Sequence, residues 1–247
     1  MYLYIWLLQS KMKAFYFCVL LALLAVINNA QYAFEKVNLN SSFVGRYFHT
    51  FTTVNDSLVI IGGQDSHKNS FSDEWISMDQ GKEFNVKKVD VGFNISGHTA
   101  TFIKSTNTIL IIGGFANDRS LNTVYTSSDL VNYSFKNSLT VSRSGHTTSL
   151  LSDDTIVITG GLSTEAGFLN DVWISIDHGN SWFAPSTTNS FRSRCYHSGA
   201  TWGESTLIIM GGLTDEGGFG LIHDIFISKD KGYTFSLLND NPAWEQR

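Results

Sequence analysis

The chain has 247 residues, enough for one large domain or two small ones, with 16% charged residues and a formal net charge of −5. A sequence without positive surplus or basic stripe does not fit a nucleic-acid-binding protein. An aromatic content of 13%, with 21 glycines and only 2 prolines, argues against disorder and is typical of many short strands closed by glycine turns.

The N-terminal segment has the layout of a secretory signal peptide, which we place at residues 1–30. Lys11 and Lys13 precede an unbroken apolar run from Ala14 to Ile27, and a small residue stands at the expected cut. The run is shorter than the roughly 20 apolar residues that a membrane-spanning helix needs. We therefore expect a secreted or lumenal protein with no membrane span after cleavage. A signal anchor that stays attached is the alternative.

Four sequons for N-linked glycosylation follow the apolar run. In a secreted chain they are candidate glycan sites on exposed turns, at Asn40, Asn55, Asn94 and Asn132.

Cysteine use is sparse. Cys18 lies in the predicted signal peptide, so Cys195 is the single cysteine of the expected mature chain and cannot form an internal disulfide. We interpret it as a small buried side chain, with pairing to a partner molecule as the alternative.

A repeat with a period of about 50 residues fills the rest of the chain, residues 31–247. Each of four units opens with a histidine and a first strand (a), and an apolar second strand (b) runs into a glycine pair. An aromatic residue then marks a third strand (c), and a second aromatic residue starts a fourth (d). The repeated positions are His49, His98, His146 and His197; Gly62, Gly63, Gly113, Gly114, Gly160, Gly161, Gly211 and Gly212; and Trp75, Tyr125, Trp173 and Phe226.

Four short strands per unit predict an all-β fold, a β-propeller whose four recognisable blades lie near residues 45–91, 92–141, 142–191 and 192–240. The almost purely apolar b strands are typical of strands buried on both faces between neighbouring blades.

These units resemble the kelch repeat family. The segment Arg143-Ser-Gly-His146 matches the family's usual opening R-x-G-H, and the segments at Arg46 and Arg194 match it loosely. The resemblance covers residues 45–247. It implies a propeller of four-stranded blades in which the opening histidine has a structural role.

A second resemblance lies in the c–d turns. The segment from Ser175 to Trp182 reads S-x-D-x-G-x-x-W and is similar to the Asp-box found in sialidases. Units one and four have phenylalanine in place of the tryptophan, and unit two has Val131 in place of the glycine. An aspartate can accept backbone N–H groups of its own turn, and glycine takes a positive φ without strain. We expect these turns to be structural.

The ends of the repeat region predict further strands. Residues 32–37 resemble a d strand with no blade before it, and residues 241–247 resemble the start of another repeat. We therefore expect an incomplete propeller that belongs to a ring of five or more blades. A compact closure of four blades is the alternative.

No catalytic set can be assigned. A ring of four histidines could in principle bind a metal, but the kelch resemblance gives them a structural role, so we predict no metal and no cofactor. The sequence offers neither the copper ligands of galactose oxidase nor the arginine triad of sialidases, and it contains no phosphate loop or nucleophile motif. We predict a protein that is not an enzyme. A fragment of an extracellular carbohydrate-active enzyme of either type is the alternative.

The b–c loops are the longest and most varied segments, and they share one face with the d–a connections. Variable loops on a rigid scaffold are where propellers bind their partners. We therefore expect a protein or glycan ligand on this face, which carries the acidic candidates Asp65, Asp118, Glu165, Asp215 and Glu216.

Overall fold

The computed structural model describes residues 42–88, 90–185, 189–215, 220–240 and 242. Several predictions from the sequence lie outside these residues: the signal peptide, the d strand at 32–37, the sequon at Asn40, the candidate Glu216 and most of 241–247.

The described residues form antiparallel sheets, each built from consecutive strands. Blade 1 contains β1 (Thr50–Val54), β2 (Ser57–Ile61), β3 (Glu74–Ser77) and β4 (Asn85–Lys88). Blade 2 contains β5 (Thr99–Ile103), β6 (Thr108–Ile112), β9 (Thr123–Ser127) and β10 (Ser134–Ser138), with β7 (Phe115–Ala116) and β8 (Arg119–Ser120) as a small hairpin in its b–c loop. Blade 3 contains β11 (Thr147–Leu150), β12 (Ile156–Ser163) and β13 (Gly167–Ser175). Blade 4 contains β14 (Ser198–Trp202), β15 (Thr206–Thr214), β16 (Gly220–Ser228) and β17 (Ser236–Asn239).

The four blades are arranged in a ring, and the prediction of an all-β propeller is confirmed. The a strands are innermost and lie side by side in chain order, β1 next to β5, β5 next to β11 and β11 next to β14. We call the side of a blade that points to the next blade its forward face, and the opposite side its backward face.

Blade 3 differs from the four-stranded pattern. In place of a d strand, the described residues contain a single bridge, in which Phe183 exchanges two backbone hydrogen bonds of 2.9 and 3.0 Å with Ile174. Pro185 follows two residues later. Because proline has no N–H to donate, it cannot continue the ladder, which explains why the bridge at Phe183 is not extended in the described residues up to Pro185.

The b–c segments also differ from the loops that the sequence predicted. In blades 3 and 4 the b and c strands run on past the glycine pair as a long hairpin, and β7 and β8 form the same extension in blade 2. The register shifts where the glycines occur. Glycine tolerates the distorted backbone of such a bulge, so the ladder resumes beyond it.

The described residues form three core clusters, each between two consecutive blades. Ile61 and Ile109 lie in the cluster between blades 1 and 2, and Val157 and Leu207 lie in the one between blades 3 and 4. The middle cluster joins blades 2 and 3 in the same way. Alternate residues of each inner b strand therefore enter the clusters on both sides, and each buried aliphatic side chain contributes about 1.5–3 kcal/mol to folding.

Candidate functional site

Each opening arginine is held by an aspartate of its own blade. Arg143 is completely buried and forms two hydrogen bonds of 2.8 Å to the Asp171 carboxylate, which stands two residues before Trp173. Its guanidinium also donates to the Gly160 carbonyl at 2.9 Å, and the Trp173 indole donates to the same carboxylate at 2.6 Å. We call this arrangement the clamp, because it ties the d–a connection to the b and c strands.

The clamp recurs in blades 1 and 4, where Arg46 binds Asp73 and Arg194 binds Asp224. In blade 2 both partners are replaced together, with Ile95 at the arginine position and Thr123 at the aspartate position. The sequence pattern places the arginines in the kelch opening but does not by itself identify these partners. The sequence contains the signal, since the arginine and the aspartate occur together in units one, three and four and are both missing from unit two.

The repeated histidines join consecutive blades. His98, His146 and His197 are buried, and the Nε2 atom of each lies 3.0–3.2 Å from the hydroxyl of a threonine on the preceding a strand. Burial lowers the pKa of His98 and of His197 to about 3, so both rings are neutral at physiological pH. We call each pairing of a histidine with the hydroxyl of the preceding blade a latch.

The glycine pairs allow the blades to approach closely. A Cβ added at Gly113 would lie 2.6 Å from the Arg143 carbonyl oxygen of the next blade, and one at Gly160 would lie 2.7 Å from the Arg194 carbonyl oxygen. In blades 1 to 3 the second glycine of the pair donates its N–H to the same carbonyl, as Gly114 does to Arg143 at 2.8 Å. No larger residue would fit at these places without separating the blades.

The b–c loops and the d–a connections lie on the same face, as expected from the topology. In each blade the residue two before the opening histidine pairs with the first residue of the b–c segment, for example Ser144 with Leu162 and Cys195 with Leu213. We call this side of the ring the loop face.

A groove of about 510 Å³ crosses the loop face and draws residues from all four blades. Its central feature is a pair of stacked aromatic rings, Phe48 of blade 1 and Tyr196 of blade 4, with centroids 4.8 Å apart and planes inclined by 16°. The two side chains remain 40% and 41% exposed. Around them the groove is lined by polar side chains, among them Lys68, Asn94 and Asp118.

Both aromatic residues have left-handed backbone conformations, with φ of 57° at Phe48 and 54° at Tyr196. The equivalent positions in blades 2 and 3 are Gly97 and Gly145, for which such a φ carries no steric cost. Bulky residues at left-handed φ concentrate at functional sites. This pair was not predicted from the sequence, although two aromatic residues in place of glycine immediately before the histidine were a usable signal.

The acidic candidates of the loop face are not gathered into one cluster. Asp118 lines the groove, whereas Asp65 accepts three hydrogen bonds from His67 and Asn69 within its own loop. Glu165 accepts from Ser142 and Ser163 beside a second cavity between blades 2 and 3, and Asp215 is exposed at the end of β15.

Three further carboxyl groups near the b–c segments do not add negative charge to this face. Asp171 and Asp224 are neutralised by the clamp arginines, and Glu74 is fully buried between blades 1 and 2. These three carboxyl groups are therefore part of the scaffold.

The three described sequons occupy different surroundings. Asn55 lies in the β1–β2 turn, Asn94 lines the groove, and the Asn132 side chain donates to Asp129 in the β9–β10 turn. All three asparagines are exposed.

Cys195 is a free thiol that is only 1% exposed. Burial, with a smaller effect from the Asp215 charge, raises its pKa to about 12. The thiol is therefore protonated and shielded in the folded blade.

The c–d turns are closed by their own aspartates. Asp177 accepts from the Ser175 hydroxyl at 2.8 Å and from the Ser181 N–H at 2.9 Å, and Asp79 and Asp230 make equivalent bonds. In blade 2, Asp129 accepts the N–H groups of Val131 and Asn132. These hydrogen bonds within the turns are a sufficient structural reason for the aspartates, and no bound ligand is required to explain them.

Within the described ranges, no group of three or more His, Cys, Asp or Glu side chains is placed to hold a metal ion. The same residues include no helix with the length and apolar character required to cross a membrane.

The ring of four-stranded sheets, with its clamps, latches and glycine pairs, defines a kelch-type β-propeller. The KLHDC2/KLHL20/DRC7 Kelch-repeats domain matches residues 48–239, and the chain belongs to this family. Comparison with curated proteins gives no significant match.

Proposed function

We propose that this kelch propeller is a secreted, non-catalytic scaffold that binds a protein ligand in the groove of its loop face. The observation that carries the proposal is the stacked pair of Phe48 and Tyr196. Exposed, rigid aromatic side chains beside polar groups are the usual anchors of protein interfaces. Both rings are held by the ring scaffold at backbone angles that are otherwise costly.

The polar lining suits recognition of a peptide segment. Lys68 supplies a cation, Asp118 an anion, and Asn94 and Asn117 supply amide donors and acceptors around the aromatic pair. A loop or chain end with one apolar side chain on the aromatic pair could satisfy its backbone groups with these neighbours.

The test is affinity capture from the medium of cells that express the protein, with retained proteins identified by mass spectrometry. A variant with Phe48→Ser and Tyr196→Ser should lose the partners that the unchanged protein retains. Phe135→Ser is the matched control, because Phe135 is 59% exposed on the outer strand β10 and lies outside the groove. Equal retention by all three proteins would remove the groove from consideration.

A glycan array with the same three proteins tests the other class of ligand. Binding of a glycan by the unchanged protein and by Phe135→Ser, but not by the double variant, would replace the protein ligand with a carbohydrate. We expect no such signal.

Secretion is tested separately. Cells that express the complete sequence should release the protein into the medium with an N-terminus close to Gln31, since the apolar run of residues 14–27 is followed by small and polar residues. Retention of the whole chain in membranes would contradict this part of the proposal.

A further inference from the structure

Among the described residues, two blade faces of the ring have no blade packed against them. At the fifth position after the opening histidine, Val54, Ile103 and Leu151 are at most 8% exposed, because each packs toward the following blade. The equivalent residue of blade 4 is Trp202, which is 73% exposed. All five residues of β14 are exposed. The forward face of blade 4 is therefore uncovered.

No described blade covers the backward face of blade 1 either. His49 is exposed, whereas its three equivalents are 5–6% exposed. Phe51 on β1 is 58% exposed. Phe43 is half-buried, whereas the equivalent Phe191 of blade 4, which packs against blade 3, is 1% exposed.

Blades 1 and 2, blades 2 and 3, and blades 3 and 4 are joined by the same contact. The two uncovered faces each carry one side of that contact. That contact has three parts, illustrated by blades 1 and 2. The His98 ring meets the Thr50 hydroxyl at 3.1 Å, the Gly63 N–H donates to the Ile95 carbonyl at 2.8 Å, and the Gly97 N–H donates to the Phe48 carbonyl at 2.8 Å. The same three parts recur between blades 2 and 3 and between blades 3 and 4.

Blade 4 presents the forward half of this set. Its groups are the Ser198 hydroxyl, the Gly212 N–H and the Tyr196 carbonyl. Blade 1 presents the backward half, which consists of the His49 ring, the Arg46 carbonyl and the Phe48 N–H. Among the described residues, none of these six groups has the partner that its equivalents have, and the His49 ring bonds the Arg46 backbone of its own blade instead. Donors on one face correspond to acceptors on the other in all three places.

The apolar surfaces also correspond. The forward face of blade 4 adds Trp202, Ile208 and Met210, and the last two are partly exposed where the equivalent Val157 and Thr159 of blade 3 are buried. The backward face of blade 1 adds Phe51. The described residues of these two faces do not cover each other within one chain. The described contact between blade 4 and blade 1 is the stacking of Phe48 on Tyr196.

We propose that the forward face of blade 4 binds the backward face of blade 1 in a second copy of this chain, so that two copies associate head to tail through two identical seams. A second copy carries the His49 ring, the Arg46 carbonyl and the Phe48 N–H in the register that the forward face of blade 4 requires. Because the two faces differ, the contact is heterologous. The assembly closes as a pair when the blade 4 face of each copy binds the blade 1 face of the other.

The first measurement is the molar mass of the purified chain by sedimentation equilibrium over a range of concentrations. We expect twice the mass of one chain. Trp202→Asp should give single chains, because it places a charge in the seam. Ile176→Asp is the matched control, since Ile176 is 70% exposed on the c–d turn of blade 3, and it should still pair. Circular dichroism verifies that both variants are folded.

A mixing experiment distinguishes this specific contact from non-specific association. Phe51→Asp alone should also give single chains, since it damages the backward face of blade 1. When it is mixed with Trp202→Asp, one seam is formed by undamaged faces, so a mixed pair should appear that neither variant forms alone. A single-chain mass for the unchanged protein, loss of pairing in Ile176→Asp, or no mixed pair would each overturn the proposal.

Discussion

At the scale of single residues, Glu74 departs most from the pattern of the repeat. The equivalent residues on the other c strands are Val124, Val172 and Ile225, yet Glu74 is fully buried on the forward face of blade 1. One carboxyl oxygen accepts the Tyr133 hydroxyl of blade 2 at 2.5 Å, and the other has no partner among the described residues. Burial raises the pKa of Glu74 to about 7, opposed by the hydrogen bond from Tyr133 and, less strongly, by the charges of Lys87 and Lys88.

This shift makes the stability of the fold depend on pH. A carboxyl group with a folded-state pKa near 7 holds a proton that the unfolded chain loses near pH 4.5. The contribution of Glu74 to the free energy of unfolding should therefore fall as pH rises from about 4.5 to about 7 and then level off, by at most about 1.4 kcal/mol per pH unit.

The measurement is denaturant unfolding at several pH values, for the unchanged protein and for Glu74→Gln. Other carboxylates titrate in the same range, so the difference between the two proteins isolates Glu74. We expect the unchanged protein to lose stability relative to Glu74→Gln as pH rises, and a constant difference would contradict the assignment.

At the scale of elements, the clamps attach the d–a connections to the sheets. The Arg143 guanidinium is buried, and a blade that lost it would keep the Asp171 carboxylate and the Gly160 carbonyl without their shared donor. Removal of one member of a buried ion pair costs about 3–5 kcal/mol.

We therefore expect Arg143→Ala to lower the free energy of unfolding by about 3–5 kcal/mol, measured by chemical denaturation. Arg192→Ala is the control, because the Arg192 side chain is exposed beside the blade 4 opening and should change stability by less than about 0.5 kcal/mol. Similar losses for the two variants would show that the clamp does not hold the blade.

At the scale of the whole molecule, protection from solvent varies around the ring. Strands β6 and β12 have a blade on each side, whereas β14 lies on an uncovered face and all four residues of β17 are exposed. Local opening is easiest where few apolar contacts must be broken.

Amide hydrogen exchange should follow this order. In the Trp202→Asp variant, we expect the slowest exchange in β6 and β12 and the fastest in β14 and β17. Use of that variant keeps a second copy from covering β14. Uniform protection across the four blades would contradict the order.

The sequence predicted the features that repeat locally. Histidines, glycine pairs and aromatic residues in register identify strands and blades because each marks a backbone requirement within a few residues. The features it did not predict depend on the curvature of the ring or on pairing over long distances. Phe48 and Tyr196 are far apart in the chain and meet only because the ring brings blade 4 back towards blade 1. The single described bridge at Phe183 has a local cause in Pro185, which the repeat pattern does not include.

The glycine pairs have a consequence for how such a protein can change in evolution. The glycine pair in one blade makes room for the backbone carbonyl of the next blade. Each repeat therefore contains the glycines that its neighbour requires for close packing. A duplicated or exchanged repeat brings its own spacer with it. Whole repeats could therefore be gained or lost without compensating substitutions in the neighbouring repeats. The loops of each new repeat would remain free to diverge in sequence.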